Sequence, residues 1–425
     1  MDKRTKERAI ELLVAKRSDP SISYADIERK TGYSRRQLMR LSKRVEQLGP
    51  EGAAAHGNAG RRPATAATDD EIRYLRKFKE PCRSITIAQF RDIFIEDVIE
   101  NPDRRDDAER YGLVARSRSW FRELFRREGW RSPAQRPERA RGGRAAHPIR
   151  EPMPRRGMLV QVDGTPYDWF GNGDARVLHI AVDDATTEAL SGCFMPIECM
   201  RGYARMAERM VRRSGAPEAV YSDRHSVFRS SKGGAATQLS MMLSDLGVRM
   251  VFAGSPQAKG RVERYNLTGQ LRLVNDIIRF GIEDYDHLDS WFNEFYVDYL
   301  NRKFSFPPAE PGSEFRLMPE GFDCSSVFRI RLTRISRSGM ISYEMGLYRM
   351  VDGDGVVYDP GEGVRVNLFI DVWTEEMYVE RYGKRYACVL CGVREHRKSD
   401  LVGNQGGCRT CSGRCADDAA RRLWG

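Results

Sequence analysis

Three acidic residues stand where this chain could do phosphoryl chemistry with metal ions: Asp163, Asp223 and Glu263. Asp163 closes an apolar run, Leu159-Val-Gln-Val-Asp163, and Asp223 closes another, Val220-Tyr-Ser-Asp223. Glu263 falls on a helical stretch just after Ser255-Pro-Gln-Ala-Lys-Gly260. A carboxylate at a strand end sits at the sheet margin, where ligands bind in α/β folds, and a helix beside it can supply a third. Hard oxygen donors in that number suit Mg²⁺ or Mn²⁺, which keep several waters and bind substrate phosphates. Two such ions, about 3.5–4 Å apart, can activate a hydroxyl on one side of phosphorus and stabilise the leaving oxygen on the other. No covalent nucleophile is then needed. The competing reading is that Asp after a strand belongs to a turn and Glu on a helix is solvated. Spacing alone leaves both open.

The elements that must position these acids follow from periodicity. Apolar runs at 158–162, 177–182 and 189–195 read as three successive strands. Helix at 203–213, strand at 219–221, helix at 237–246, strand at 248–253 and a long helix at 260–278 follow. That order predicts a mixed α/β core over 157–310. Ahead of it, 1–50 reads as three helices, the third capped by Ser34 with Gln37 and burying Leu38, Leu41, Val45 and Leu48. Arg35, Arg36, Arg40, Lys43 and Arg44 fall outside that stripe, the layout of a helix-turn-helix DNA reader; a helical bundle with a solvated basic face is the alternative. After a Gly/Ala-rich linker at 51–66, a second helical, HTH-like unit is expected over 67–130, with Arg118 and Arg122 exposed on its last helix. Residues 131–156 hold eight Arg against two acids and read as a basic linker. A further linker at 311–327 leads to short strands over 328–386, predicted as a small β-barrel.

The wording around the acids is more specific than their spacing. Gln161-Val-Asp163-Gly-Thr-Pro-Tyr-Asp-Trp-Phe170, Tyr221-Ser-Asp223-Arg-His-Ser-Val-Phe228 and Ser255-Pro-Gln-Ala-Lys-Gly-Arg-Val-Glu263-Arg264 closely resemble the three catalytic blocks of DDE transposases. The resemblance is to bacterial insertion-sequence transposases related to retroviral integrases, especially the group filed as not classified yet (ISNCY). It runs on through Val182-Asp-Asp-Ala-Thr186 and Asp298-Tyr-Leu-Asn-Arg302, covering roughly residues 157–305. It implies an RNase H-like fold in which Asp163, Asp223 and Glu263 hold two Mg²⁺ (or Mn²⁺) ions. Water would first free a 3′-hydroxyl at a transposon end, and that hydroxyl would then attack target DNA. Lys259, Arg261 and Arg264 would contact DNA beside the Glu. Terminal inverted repeats and target DNA would be the double-stranded partners, with a homo-oligomer joining two ends. A catalytically silent DNA-binding regulator and a nuclease that cuts without joining are the rival functions.

The chain departs from the family pattern at three places. Tyr167 stands where family members often carry His, and Leu267 and Gly269 break the usual Asn-Gly-Thr run after the Glu block. These bear on DNA positioning more than on metal binding. Asp168, Asp183 and Asp184 read as structural, and His225 as a packing or phosphate contact. No ordered set of basic groups around a nucleophile suggests a tyrosine or serine recombinase. The six His are dispersed.

Bulk properties agree with a DNA partner. The formal charge is +11 over 425 residues, which favours a polyanion through counterion release. The start of the chain lacks an apolar signal core, and no run reaches the roughly 18–20 apolar residues of a bilayer span; a cytoplasmic, nucleoid-associated protein is expected. Cysteines crowd the tail at 387–425. Cys388, Cys391, Cys408 and Cys411 have the spacing of a Zn²⁺ ribbon, with Cys415 as a substitute ligand. A tail without a core is the alternative.

Overall fold

The computed structural model describes residues 3–55, 66–133, 150–222, 237–252 and 260–393. The chain forms two compact units, Met1–Leu75 and Arg76–Gly425. In the first, α1 (Lys3–Ser18), α2 (Tyr24–Thr31) and α3 (Arg35–Ala54) enclose a core of Ala9, Ile10, Leu13, Ile27, Leu38, Leu41 and Val45. Ser23 caps α2 reciprocally with Asp26, and Gly32 (φ 71°) ends it in the left-handed region, where a side chain would be strained. Leu48 is not in the core; it is 58% exposed. The cause is a break at Gly49 (φ 72°) followed by Pro50, after which Ala53 takes the inward position. Val14 likewise points outward.

Helix α4 (Asp69–Lys79) spans the boundary between the units. It starts where the Thr68 hydroxyl accepts from the Glu71 amide (3.0 Å). In the second unit α5 (Ile87–Phe94) runs into a single π turn (Ile95–Ile99), followed by α6 (Arg105–Tyr111) and α7 (Arg118–Arg127). Edge-to-face ring pairs join α5 to α7: Phe90 with Phe121 (5.7 Å) and Phe125 (5.4 Å), and Phe94 with Phe121 (5.8 Å).

The expected mixed sheet is present. It comprises β1 (Val160–Tyr167), β2 (Arg176–Asp183), β3 (Ala189–Met195), β4 (Ala219–Ser222) and β5 (Arg249–Phe252), with α8 (Met200–Ser214) and α9 (Gln238–Asp245) inserted along the chain. Then come α10 (Gly260–Arg279), α11 (Tyr285–Trp291) and α12 (Val297–Phe304). Strand order is β3-β2-β1-β4-β5. The first three are antiparallel, while β4 joins β1 and β5 joins β4 in parallel. Alternation along β2 divides the core. Leu178, Ile180 and Val182 face α10–α12, whereas Ala181 faces α8 and α9. The free edge of β3 is blocked by side chains. Asn301 both donates to and accepts from the Ala189 backbone, Asn293 does the same at Gly192, and Asp289 accepts from the Phe194 amide. An edge so occupied cannot template another strand.

The C-terminal strands are β6 (Arg329–Ile335), β7 (Met340–Tyr343), β8 (Gly346–Val351), β9 (Val357–Tyr358), β10 (Arg365–Asp371), β11 (Met377–Arg381) and β12 (Lys384–Val393). They form the order β6-β10-β11-β12-β8-β7, with β9 on β8. Among the described residues this ladder does not close, so the predicted barrel is replaced by an open sheet. One apolar run, 340–349, is in fact two strands. Glu344 (φ 50°) turns the chain there without the Gly or Asn that marks such a turn in sequence. The sheet is not a separate body: Val366, Leu368, Ile370 and Val379 share one core with α8 and α9. The amide of Gln238 clasps the Arg331 backbone from both sides (2.7 and 2.8 Å).

His179, fully buried on β2, shows how tightly the α8 side is built. Its Nδ1 donates to the Cys193 carbonyl (3.2 Å) and its Nε2 accepts from the Cys199 amide (3.1 Å). A Cβ on Gly202 would come within 2.5 Å of the ring. Burial pushes the imidazole pKa down to about 4, so the unfolded chain takes up this proton first as pH falls. Stability from the neutral ring is full above about 6.5 and is lost progressively toward pH 4, by about 3 kcal/mol at that end. Denaturant unfolding should therefore show a steeper acid loss for the native chain than for His179→Phe between pH 6.5 and 4. Parallel slopes would refute the buried neutral imidazole.

Candidate active site

The site begins with a match of two periodicities. Alternate residues of β1 point to one face and recur about every 6.6–6.8 Å; every fourth residue of a helix recurs about every 6 Å. Along β1 and α10 the two rows meet rung by rung. The Gln161 Oε1 accepts from the Val262 amide (3.2 Å), Asn266 Nδ2 donates to Asp163 Oδ2 (2.8 Å), and Gln270 Nε2 donates to Thr165 Oγ1 (2.8 Å). Asp163 is thus fixed against the first turns of α10. Glu263 follows Val262 and lies three residues before Asn266, neighbours on one helical surface. Its side chain is exposed. The strand leading to Asp223, β4, runs parallel beside β1 with Val160 opposite Val220 and Gln161 opposite Tyr221. Asp223 itself lies outside the described residues, and no three His, Cys, Asp or Glu among those described form a metal-holding group.

Behind the rungs is a buried polar knot. Asp184, fully buried, accepts from Gln161 Nε2 (2.5 Å), Arg261 Nη1 (2.9 Å), the Met153 amide (2.8 Å) and Arg150. Arg261, expected on DNA, instead directs its guanidinium at this carboxylate and is largely covered. Asp183 accepts from the Gly157 amide and from the amide and hydroxyl of Thr186 (2.8–2.9 Å); burial raises its pKa. Asp168 accepts from the amides of Asn172 and Gly173. These acids shape backbone. On the opposite face of β1, Gly164 leaves room for Tyr203 and Glu198, whose atoms would lie 3.0–3.1 Å from a Cβ.

The remaining sequence-derived positions are dispersed. Arg35, Arg36, Arg40 and Lys43 are exposed on α3, while Arg44 is half-buried and donates to the Ala55 carbonyl (3.0 Å). Arg118 and Arg122 are exposed on α7, and Arg264 on α10. Leu267 is 55% exposed. A Cβ at Gly269 would meet nothing within 4 Å, so both departures lie where side chains are unconstrained. Tyr167 is exposed and tilts against Trp169 (5.1 Å). Cys388 and Cys391 lie in β12, where Cys388 pairs with Met350; burial pushes its thiol pKa up to about 12. Lys259, His225, Cys408, Cys411 and Cys415 fall outside the described residues. Sequence reasoning missed Gln161, Asn266 and Gln270; amides spaced to bridge a strand and a helix carry no motif.

No family model matches the chain. It is 40% identical over 159 residues to a protein of Sinorhizobium fredii provisionally named transposase y4bF, covering 36% of this chain and 35% of that one. It is 26% identical over 293 residues to the transposase for insertion sequence IS1202 of Streptococcus pneumoniae, covering 64% of this chain and 62% of that one. The chain therefore aligns with less than two thirds of the length of either relative. Solved structures with similar parts include the HTLV-2 integrase catalytic core domain in complex with magnesium (16% identity, TM-score 0.27, 32% of this chain and 85% of that one). Another is a simian T-cell lymphotropic virus intasome in complex with a PP2A regulatory subunit (15%, 0.30, 66% and 94%). The chain is thus similar, over part of its length, to proteins named as transposases, in line with the resemblance of its motifs. Among the described residues no helix is long and apolar enough to cross a membrane.

Gln161 joins the buried Asp184 carboxylate to α10, so its loss should be felt in the fold itself. Gln161→Leu is expected to lower unfolding free energy by about 2 kcal/mol, since a buried amide and carboxylate lose partners. Thr268→Ala, on the same helix away from the rungs, should stay within about 0.5 kcal/mol. Equal effects in denaturant melts would contradict the rung assignment.

Proposed function

We propose that the chain is a transposase that binds its element's terminal inverted repeats and catalyses metal-dependent 3′-end cleavage and strand transfer. In this reading the mixed sheet is RNase H-like, and Asp163, Asp223 and Glu263 are the catalytic acids. The observation that supports this reading is the Asp163–Asn266 rung, a hydrogen bond between Asp163 and the helical turn after Glu263. The second acid follows Ser222 in the sequence, and Ser222 is the last residue of the strand beside β1.

The donor chemistry fits a divalent ion. Asp163 and Glu263 supply hard oxygens, and Asn266 Nδ2 fixes one oxygen of Asp163. Two Mg²⁺ or Mn²⁺ ions would supply charge neutralisation at phosphorus and a lowered pKa for the attacking hydroxyl. The chain's residues do the rest. Gln161, Asn266 and Gln270 hold strand and helix in register, so the carboxylates need not reorganise when DNA arrives. Arg264 is exposed beside Glu263 and is assigned to phosphate, as is Lys259. The basic face of α3 (Arg35, Arg36, Arg40, Lys43, Arg44) and the exposed Arg118 and Arg122 of α7 are assigned to the end sequence. Arg261 is reassigned from DNA to the support of Asp184. Two ends must be joined, so the working form is a homo-oligomer in contact with the chromosome in the cytoplasm. Cys388 and Cys391 with Cys408 and Cys411 are assigned to Zn²⁺.

Duplexes taken from the DNA flanking the coding sequence, with Mg²⁺ and a plasmid target, test the assignment. Native protein should cut and join. Asp163→Asn, Asp223→Asn and Glu263→Gln should each reduce joining by at least about a thousand-fold while binding the same duplexes with unchanged affinity. Normal joining by any one variant removes that acid from the site. Binding without cutting by the native chain would instead identify a silent regulator, and cutting without joining a nuclease.

A further inference from the structure

The helical segment ahead of the sheet grips α10 from the side opposite β1. Gln89, fully buried on α5, donates from Nε2 to the Arg272 carbonyl (2.8 Å) and accepts from Asn275 Nδ2 (3.4 Å). The Asn275 Oδ1 accepts from the Arg83 amide (2.9 Å). Asp92 pairs with Arg272 (3.2 Å). On the following π turn, Asp97 receives Arg279 through Nε (2.7 and 2.9 Å) and through a second guanidinium nitrogen, while Glu96 takes Arg279 Nη1 (3.0 Å), Tyr299 Oη (2.9 Å) and Lys303. At about 100° per residue, 272, 275 and 279 lie roughly opposite 262, 266 and 270 around the helix. The β1 rungs hold the N-terminal half of α10, and α5 with its π turn holds the C-terminal half.

Resting on the transposase reading, we propose that Gln89, Asp92 and Asp97 are positioning residues for Glu263: they fix the axial rotation of α10 and thereby the place of its carboxylate. The investment in buried polar groups is otherwise hard to account for, because a buried ion pair adds little to stability over an apolar replacement and its attested use is to set register. Arg272 and Asp276 are buried one turn apart, and Tyr296 Oη donates to Asp276 (2.6 Å). The same frame holds α7 through the Phe90, Phe94, Phe121 and Phe125 rings. DNA held at Arg118 and Arg122 would therefore be registered against Glu263 by these contacts. Misplacement by about 1 Å costs on the order of a hundred-fold in rate.

The test uses full-length Gln89→Leu and Asp97→Asn, the second a mild change at a half-exposed carboxylate. Hydrogen exchange of the amides of 262–279 should quicken by at least about ten-fold in both, with exchange of β2 and of α1–α3 unchanged. With flanking-DNA duplexes, the Mg²⁺ concentration for half-maximal cutting should rise by at least about five-fold at unchanged duplex affinity, and Gln89→Glu, which retains its acceptor, should fall between native and Gln89→Leu. Uniformly faster exchange across the unit, or an unaltered Mg²⁺ requirement in an active variant, overturns the proposal in favour of simple support. A native chain that cuts none of the duplexes overturns the transposase reading instead, and the exchange measurement still decides whether α5 holds α10.

Discussion

Everything at the candidate site rests on the commensurability of one strand with one helix. Two residues of β1 advance nearly as far as four residues of α10, so Gln161, Asp163 and Thr165 can each meet a partner at 262, 266 and 270. A one-residue slip of β1 would turn Val160, Val162 and Gly164 toward the helix and Asp163 into the α8 side of the core. The neighbouring strands prevent this. β2 pairs with β1 along its whole length, and β4 is registered in parallel on its other edge.

Electrostatics then fix what packing alone would leave loose. Asp184 would be costly to bury alone, and it is accommodated by Arg150, Arg261, Gln161 and a backbone amide together. Because Gln161 and Arg261 also belong to the strand–helix contact, the knot transmits the position of the 150–157 segment to the start of α10. That segment is tied in turn to the stretch before the C-terminal sheet, through Arg155 with Glu310 and Glu314 and through the backbone amides of Glu310 and Glu314, which donate to the Pro154 and Arg156 carbonyls. Stretches that read as linkers thus form part of the scaffold.

How far the sequence disclosed this differs by kind of information. Strands and helices of the mixed sheet were legible because apolar residues recur with the right period and the core alternates cleanly along β2. The acids were singled out by the motif wording that surrounds them rather than by their spacing. Leu48 misled because a helical stripe assumes a straight axis, and Gly49 with Pro50 bends it. The open C-terminal sheet was read as a barrel because strand count and turn density do not determine closure. Arg261 was read as a DNA contact because charge at the surface and charge aimed at a buried partner look alike until the partner, here Asp184, is seen. The amide rungs and the α5 contacts join residues roughly 100 to 185 positions apart, and nothing local in the chain signals such pairs.

In the proposed site Asp163 and Glu263 serve one divalent ion. Mn²⁺ binding followed by electron paramagnetic resonance of the free ion tests it without DNA or turnover. Native protein should withdraw Mn²⁺ from solution at a site that Asp163→Asn and Glu263→Gln each weaken by at least about ten-fold, with the double variant no worse than the more severe single one. If either substitution leaves Mn²⁺ binding unchanged while the other abolishes it, the two carboxylates do not share an ion and the account of the site fails.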